Sequence, residues 1–280
     1  MIIDAHHHFW SLDAQWCHWP TPDLAGIYQD FGPDSLSPIL RNSGVDRTVL
    51  VQAAPDIRET NALLAIADNT PFVGGVVGWV PLEKPLEAAE QLEGFSLNSQ
   101  FKGVRAMLQD MDAREWILNE ALEPALNILV ARSFTFDALI LPDQLPYIAN
   151  LAKRLPNLKI VIDHGAKPNI AERSYDQWKE DISAFRYFDN VFCKLSGLMT
   201  EAKNNDGADA LRPISNHLIN CFGADRLMWG SDWPVLNLAS SYEDWLAICR
   251  RLTNHLSSSA KDAIFGGTAA AFYHLSWSKK

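Results

Sequence analysis

Basic charge is scarce in this sequence: 24 lysines and arginines stand against 34 aspartates and glutamates, a formal net charge of −10. No basic run longer than a pair occurs, so the footprint of a nucleic-acid or anionic-membrane partner is missing. A local cationic pocket for a small substrate remains compatible with the acidic total. Cysteine is rarer still. Cys17, Cys193, Cys221 and Cys249 lie far apart and form no Cys-x-x-Cys pair, which fits reduced thiols in a cytoplasmic protein. No stretch of about 20 apolar residues is present, so no membrane-spanning helix is expected. The opening Met1-Ile2-Ile3-Asp4 lacks the basic and apolar regions of a signal peptide. Also absent are a Gly-x-Gly-x-x-Gly after the first strand, a Gly-x-x-x-x-Gly-Lys-Ser/Thr loop and a Gly-x-Ser-x-Gly elbow. Dinucleotide binding, phosphate cradling and serine-hydrolase chemistry therefore lack their usual marks.

Apolar material, by contrast, is plentiful: 48% of the 280 residues are hydrophobic. A chain of this length buries about three-quarters of its unfolded surface. Short β-branched runs recur at Ile2–Phe9, Arg47–Gln52, Phe72–Val80, Gly103–Leu108, Ile128–Phe134, Lys159–Asp163, Val191–Leu195 and Arg226–Gly230. Between them the pattern predicts helices over Asp34–Asn42, Glu59–Asn69, Pro85–Glu93, Trp116–Leu126, Pro142–Arg154, Tyr175–Arg186, Ala208–Cys221 and Tyr242–Asn254. Pro33-Asp34, Pro85, Pro142 and Ser240-Ser241 supply starts for several of these. Eight β–α units of about 35 residues predict a (β/α)8 barrel of TIM type, one domain over 1–280. A doubly wound open sheet is the rival, weakened by the missing nucleotide fingerprint.

Residues at strand ends carry the chemistry in such a barrel, because the loops that follow the strands build its mouth. In Asp4-Ala5-His6-His7-His8-Phe9-Trp10 the period of two turns His6 and His8 to one side and His7 to the other. Two imidazoles so placed can converge on one divalent cation or one substrate oxygen, although a lone strand histidine is usually a satisfied core residue. Asp232, in Trp229-Gly230-Ser231-Asp232-Trp233-Pro234, ends the last strand and so neighbours the first. A carboxylate there can ligate metal or shuttle a proton, or merely cap a turn. On the sixth strand Asp163 and His164 are expected to face opposite ways, with His164 entering the mouth. Lys194 and Ser196 share a face of the seventh strand, and Arg105 ends the fourth. Each cation suits a substrate hydroxyl or carboxylate, with a structural ion pair as its close competitor. Gln52 and Trp79 are weaker candidates. Trp10, Trp16, Trp19 and Trp233 sit on long loops at the mouth, where they wall a pocket or simply pack.

Taken in order along the chain, these blocks resemble the amidohydrolase superfamily. The match of Asp4–Trp10, Lys102-Gly103-Val104-Arg105, Asp163-His164-Gly165-Ala166-Lys167-Pro168, Cys193–Leu198 and Trp229–Pro234 is closer to its sugar-lactonase branch. That branch includes fuconolactone, rhamnonolactone and galactonolactone hydrolases and 2-pyrone-4,6-dicarboxylate lactonase. The resemblance implies a hydrolase that opens an aldonolactone. Asp232 would act as general base with His164 as a further catalytic group. Arg105, Lys194, Trp10 and Trp233 would bind substrate. Metal-rich members of the superfamily carry a bridging lysine or glutamate on the fourth strand and a histidine on the fifth. Here Val130–Asp137 has no histidine and Lys102 comes too early, so no binuclear centre is expected. His6, His8 and Asp232 are left to hold one zinc-like ion, or to work without metal. A decarboxylase or lactone isomerase on the same barrel is the alternative, and a non-catalytic sugar-acid binder comes last. The expected partner is a small lactone, and nothing in the sequence specifies an oligomeric state.

Overall fold

A computed structural model describes residues 1–203 and 206–276. Eight parallel strands run in chain order: β1 (Ile3–His7), β2 (Arg47–Val51), β3 (Val73–Gly78), β4 (Phe101–Ala106), β5 (Thr135–Ala138), β6 (Ile160–Ile162), β7 (Val191–Leu195) and β8 (Leu227–Trp229). The segment after β8 returns to β1: Asp232 N–H donates to His6 O at 2.8 Å and His8 N–H to Trp233 O at 2.8 Å, closing the barrel. Helices α1 (Pro33–Ser43), α2 (Ile57–Asp68), α3 (Pro85–Phe95), α4 (Glu123–Arg132), α5 (Leu145–Arg154), α6 (Asp176–Ser183), α7 (Ala208–Phe222) and α8 (Tyr242–Leu252) follow the strands in turn. Pro33 and Pro85 sit in the first turns of α1 and α3, and the Ser241 hydroxyl caps α8 by accepting from Asp244 N–H. No helix among the described residues is long and apolar enough to cross a membrane.

One unit departs from the sequence pattern. The expected helix at Trp116–Leu126 is two short 3-10 turns followed by the first turn of α4, and the run Ile128–Phe134 read as the fifth strand ends helix α4 instead. Pro124 explains the shift. It lacks an N–H and is best accommodated in a first helical turn, and α4 starts at Glu123 rather than passing through it. Ser133 then takes a left-handed conformation, and the strand falls on Thr135–Ala138.

A further segment, α9 (Ser258–Asp262) and α10 (Thr268–Phe272), had no counterpart in the sequence pattern. Ala269, Phe272, Tyr273 and Leu275 pack against Ile3, Ala5, Val49, Val51, Val77, Val161 and Met228. These are inward residues of the lower barrel, so the C-terminal helices plug its base. A second, larger apolar layer fills the space between strands and helices. The barrel interior is thus dry below and polar above, and the polar half carries the site.

Candidate active site

The β1 register shifts between Asp4 and His7, an irregularity of the bulge type. Above it His6 and His8 project inward, while the His7 ring meets Thr48 Oγ1 at 2.8 Å behind the strand. Gly230 makes this possible, because a Cβ there would lie 2.8 Å from His6 Cβ. Asp4, pointing outward, ties the two ends of the barrel together: it accepts from Ser231 N–H at 2.8 Å and Tyr242 O–H at 2.9 Å. The expected convergence is present. Asp232 Oδ1 lies 3.7 Å from His6 Nε2, 3.4 Å from His8 Nε2 and 3.8 Å from His164 Nε2.

Asp163 and His164 do not face opposite ways, which corrects the strand-alternation expectation. Strand β6 ends at Ile162, and His164, Gly165, Ala166 and Lys167 all have positive φ (54°, 59°, 61° and 49°). Lys167 N–H donates to His164 O at 3.0 Å, so the segment is one left-handed turn. Such backbone costs about 1–2 kcal/mol for each non-glycine residue. The surroundings enforce it: Trp178 Nε1–H donates to Gly165 O at 2.7 Å, and Leu218 packs on Gly165. Gly197 clears the His164 ring, which would lie 2.6 Å from a Cβ there. Asp232 is also left-handed, at φ 60°. Strained backbone at the two residues facing each other is a frequent mark of a functional site.

Below the histidines lies an ionic layer that sequence reasoning missed in part. Lys194 Nζ donates to Asp137 Oδ2 at 2.5 Å and lies 3.0 Å from Asp163 Oδ1. Tyr273 O–H, from the basal plug, donates to Asp137 at 2.7 Å. Arg105 sits 3.5 Å from Asp163 Oδ2 and donates to the Gln52 carbonyl. Asp137 had a signal, lying two residues beyond Thr135 on the strand that was misplaced, whereas nothing in the local sequence marked Tyr273.

This layer sets the protons above it. His8 Nδ1 lies 2.7 Å from the Val51 carbonyl, which can only accept, so its proton is on Nδ1 and its Nε2 is a lone pair. The 3.1 Å contact between His8 Nε2 and His6 Nε2 must then be donated by His6. His6 Nδ1 is in turn an acceptor, matched by Lys194 Nζ at 3.0 Å. Burial holds all three inward imidazoles below their ordinary range, His164 down to about 4 and His6 well below its usual value. For Asp232 burial pulls upward, but His164, His8 and His6 outweigh it and hold the carboxyl below the usual carboxylate range. The mouth therefore presents the Asp232 carboxylate to three imidazoles.

A cavity of about 320 Å³ opens above, walled by Trp16, Trp19, Met107, Leu139 and Val235, with Arg105, His8, His164, Lys167 and Asp232 exposed to it. Its volume suits a small ligand. Three expected substrate contacts are corrected. Lys194 is fully buried in the ionic layer beneath His6, because Asp137 and Asp163 claim its ammonium. Trp10 gives its indole N–H to Gln29 O and packs behind Trp19, and Trp233 packs on Phe9 and Phe31. Trp79 lines a neighbouring hollow instead. His6, His8 and Asp232 offer donor atoms within 4.8 Å of one another. Two neutral imidazoles and one carboxylate fit a single zinc-class ion, with the His6 Nε2 proton as its competitor.

Glu59 on α2 braces one cavity wall by accepting Ala53 N–H at 3.0 Å and Ala54 N–H at 2.8 Å. Burial pushes its carboxyl from 4.5 up to about 7 against those bonds. A carboxyl raised on folding stabilises the protein fully below its unfolded value, and that contribution is lost as pH rises through about 7. The loss amounts to about 3 kcal/mol. Glu59→Gln is expected to narrow the drop in Tm between about pH 5 and 8.5, and an unchanged drop would remove Glu59 as its source.

A closed parallel barrel with this His, His, His, Asp mouth defines a class, and the chain belongs to the amidohydrolase family, whose model matches residues 3–275. Within it, the chain is 43% identical over 277 residues to L-fucono-1,5-lactonase of Burkholderia ambifaria, covering 98% of this chain and 95% of that protein. An L-fucono-1,5-lactonase of Burkholderia multivorans is 33% identical over 285 residues, 98% and 96% of the two chains. A crystal structure of a Burkholderia multivorans amidohydrolase with bound zinc superposes with a TM-score of 0.92. It shares 33% identity and covers 99% of this chain and 100% of that one.

Proposed function

We propose that this protein hydrolyses the ring ester of a sugar-acid lactone, an aldono-1,5-lactone of the L-fucono type. The observation that carries the reading is the Asp232 carboxylate within 3.4 to 3.8 Å of His6, His8 and His164 at the cavity floor, in a chain 43% identical to a lactonase. Asp232 takes a proton from water as the water oxygen bonds to the lactone carbonyl carbon. Arg105, and His164 through Nε2–H, face the carbonyl oxygen and offset the negative charge that forms on it. The acyl–oxygen bond to the ring then breaks, and Asp232 returns its proton to the departing alkoxide. Trp16 and Trp19 exclude bulk water and give the sugar an apolar face to lie on. A divalent ion held by His6, His8 and Asp232 would supply Lewis-acid polarisation at the same floor. The 43% identity to a lactonase favours water attack over the decarboxylation or isomerisation weighed from the sequence.

An acid-release assay on 1,4- and 1,5-aldonolactones, with and without chelator, tests this. Turnover of L-fucono-1,5-lactone is expected, and silence across the panel would overturn the proposal. Loss on chelation, restored by zinc, assigns His6, His8 and Asp232 as ligands. Release that survives chelation leaves them as base and hydrogen-bond donors.

A further inference from the structure

The left-handed turn after β6 does more than deliver His164. In a turn closed by an i to i+3 bond the side chains at i and i+3 eclipse, so Lys167 stands over His164. Both line the cavity, as do Arg105 from β4 and Asp232 beyond β8. Lys167 is half-buried, and it takes part in none of the ion pairs found among the described residues. Glu201 lies near enough to feel its charge without pairing to it. The fold thus spends strained backbone on aiming an uncommitted ammonium at the reacting space.

A neutral sugar lactone gives no reason for two cations in its ground state. Its hydrolysis develops negative charge at two places: the carbonyl oxygen during water attack, and the ring oxygen as the acyl bond breaks. Arg105 lies against His6 on the floor and answers the first. Resting on the lactonase reading above, we propose that Lys167 is a catalytic residue whose ammonium hydrogen-bonds the ring oxygen as it leaves. The proton that neutralises the alkoxide is the one Asp232 took from water. Lys167 keeps its own protons and contributes only charge and direction, the role of a preorganised donor.

Lys167→Met tests this against two substrates of one shape, the 1,5-lactone and the 1,5-thiolactone of the same sugar. A thiolate is a far weaker base than an alkoxide and leaves without help. The variant should lose about 100-fold or more in kcat on the lactone, and less than about 10-fold on the thiolactone, with Lys167→Arg recovering most of the loss. An equal loss on both substrates, or a loss confined to KM, would overturn the assignment and make Lys167 a binding group. Thermal melts of each variant separate misfolding from lost chemistry. Wild-type protein that opens neither ring would overturn the lactonase reading itself, and this one with it.

Discussion

Asparagine in place of Asp232 is expected to lower kcat by about 10²–10⁴-fold while leaving the protein folded. The substitution is nearly isosteric, and asparagine is among the few residues that accept the left-handed backbone found at this position. The backbone contacts that close the barrel, Asp232 N–H to His6 O and Leu236 N–H to Asp232 O, survive it. What disappears is the carboxylate that faces all three imidazoles, and with it the acceptor for a proton from water. Single-turnover hydrolysis beside a thermal melt would check both halves of the statement. Full activity in the variant would end the assignment of Asp232 as base.

The second large effect concerns stability. Lys194 is fully buried between Asp137 and Asp163, and its removal strands two carboxyls in the barrel interior. Breaking a buried pair in this way costs about 3–5 kcal/mol. Lys194→Met should therefore lower Tm on the order of 10 °C for a chain of this size. Adding Asp137→Asn removes one of the stranded charges and should return part of the loss. A double-mutant cycle by urea unfolding measures the coupling. A single variant that loses less than about 1 kcal/mol would show that the layer is not held by this charge.

How much of this was written in local sequence can be judged residue by residue. His6, His8 and Asp232 were legible because a strand alternates its faces and because the first and last strands of a closed barrel adjoin. The same rule failed at Asp163, since the chain leaves the strand there and reverses its hand, and alternation has no meaning in such a turn. Strand β5 was misplaced because the apolar end of α4 looks like a strand, and only Pro124 shows where that helix must begin. Lys194 read correctly as an inward residue, but its partners come from β5 and β6, contacts that no local pattern encodes. The basal plug lay beyond reach for a related reason. Its helices are short, and their apolar residues meet the lower barrel rather than a helix-period core.

The reversed turn at residues 164–167 bears on stereochemistry as such. Along the strands the handedness of natural amino acids and the handedness of the backbone agree. In this turn they conflict, and three side-chain-bearing residues, His164, Ala166 and Lys167, endure the conflict. A mirror-image residue has its low-energy region where an L-residue is strained, so D-alanine at position 166 would have the more relaxed backbone. Chirality, which usually helps a sequence find its fold, is in this turn opposed to the geometry that the chemistry requires.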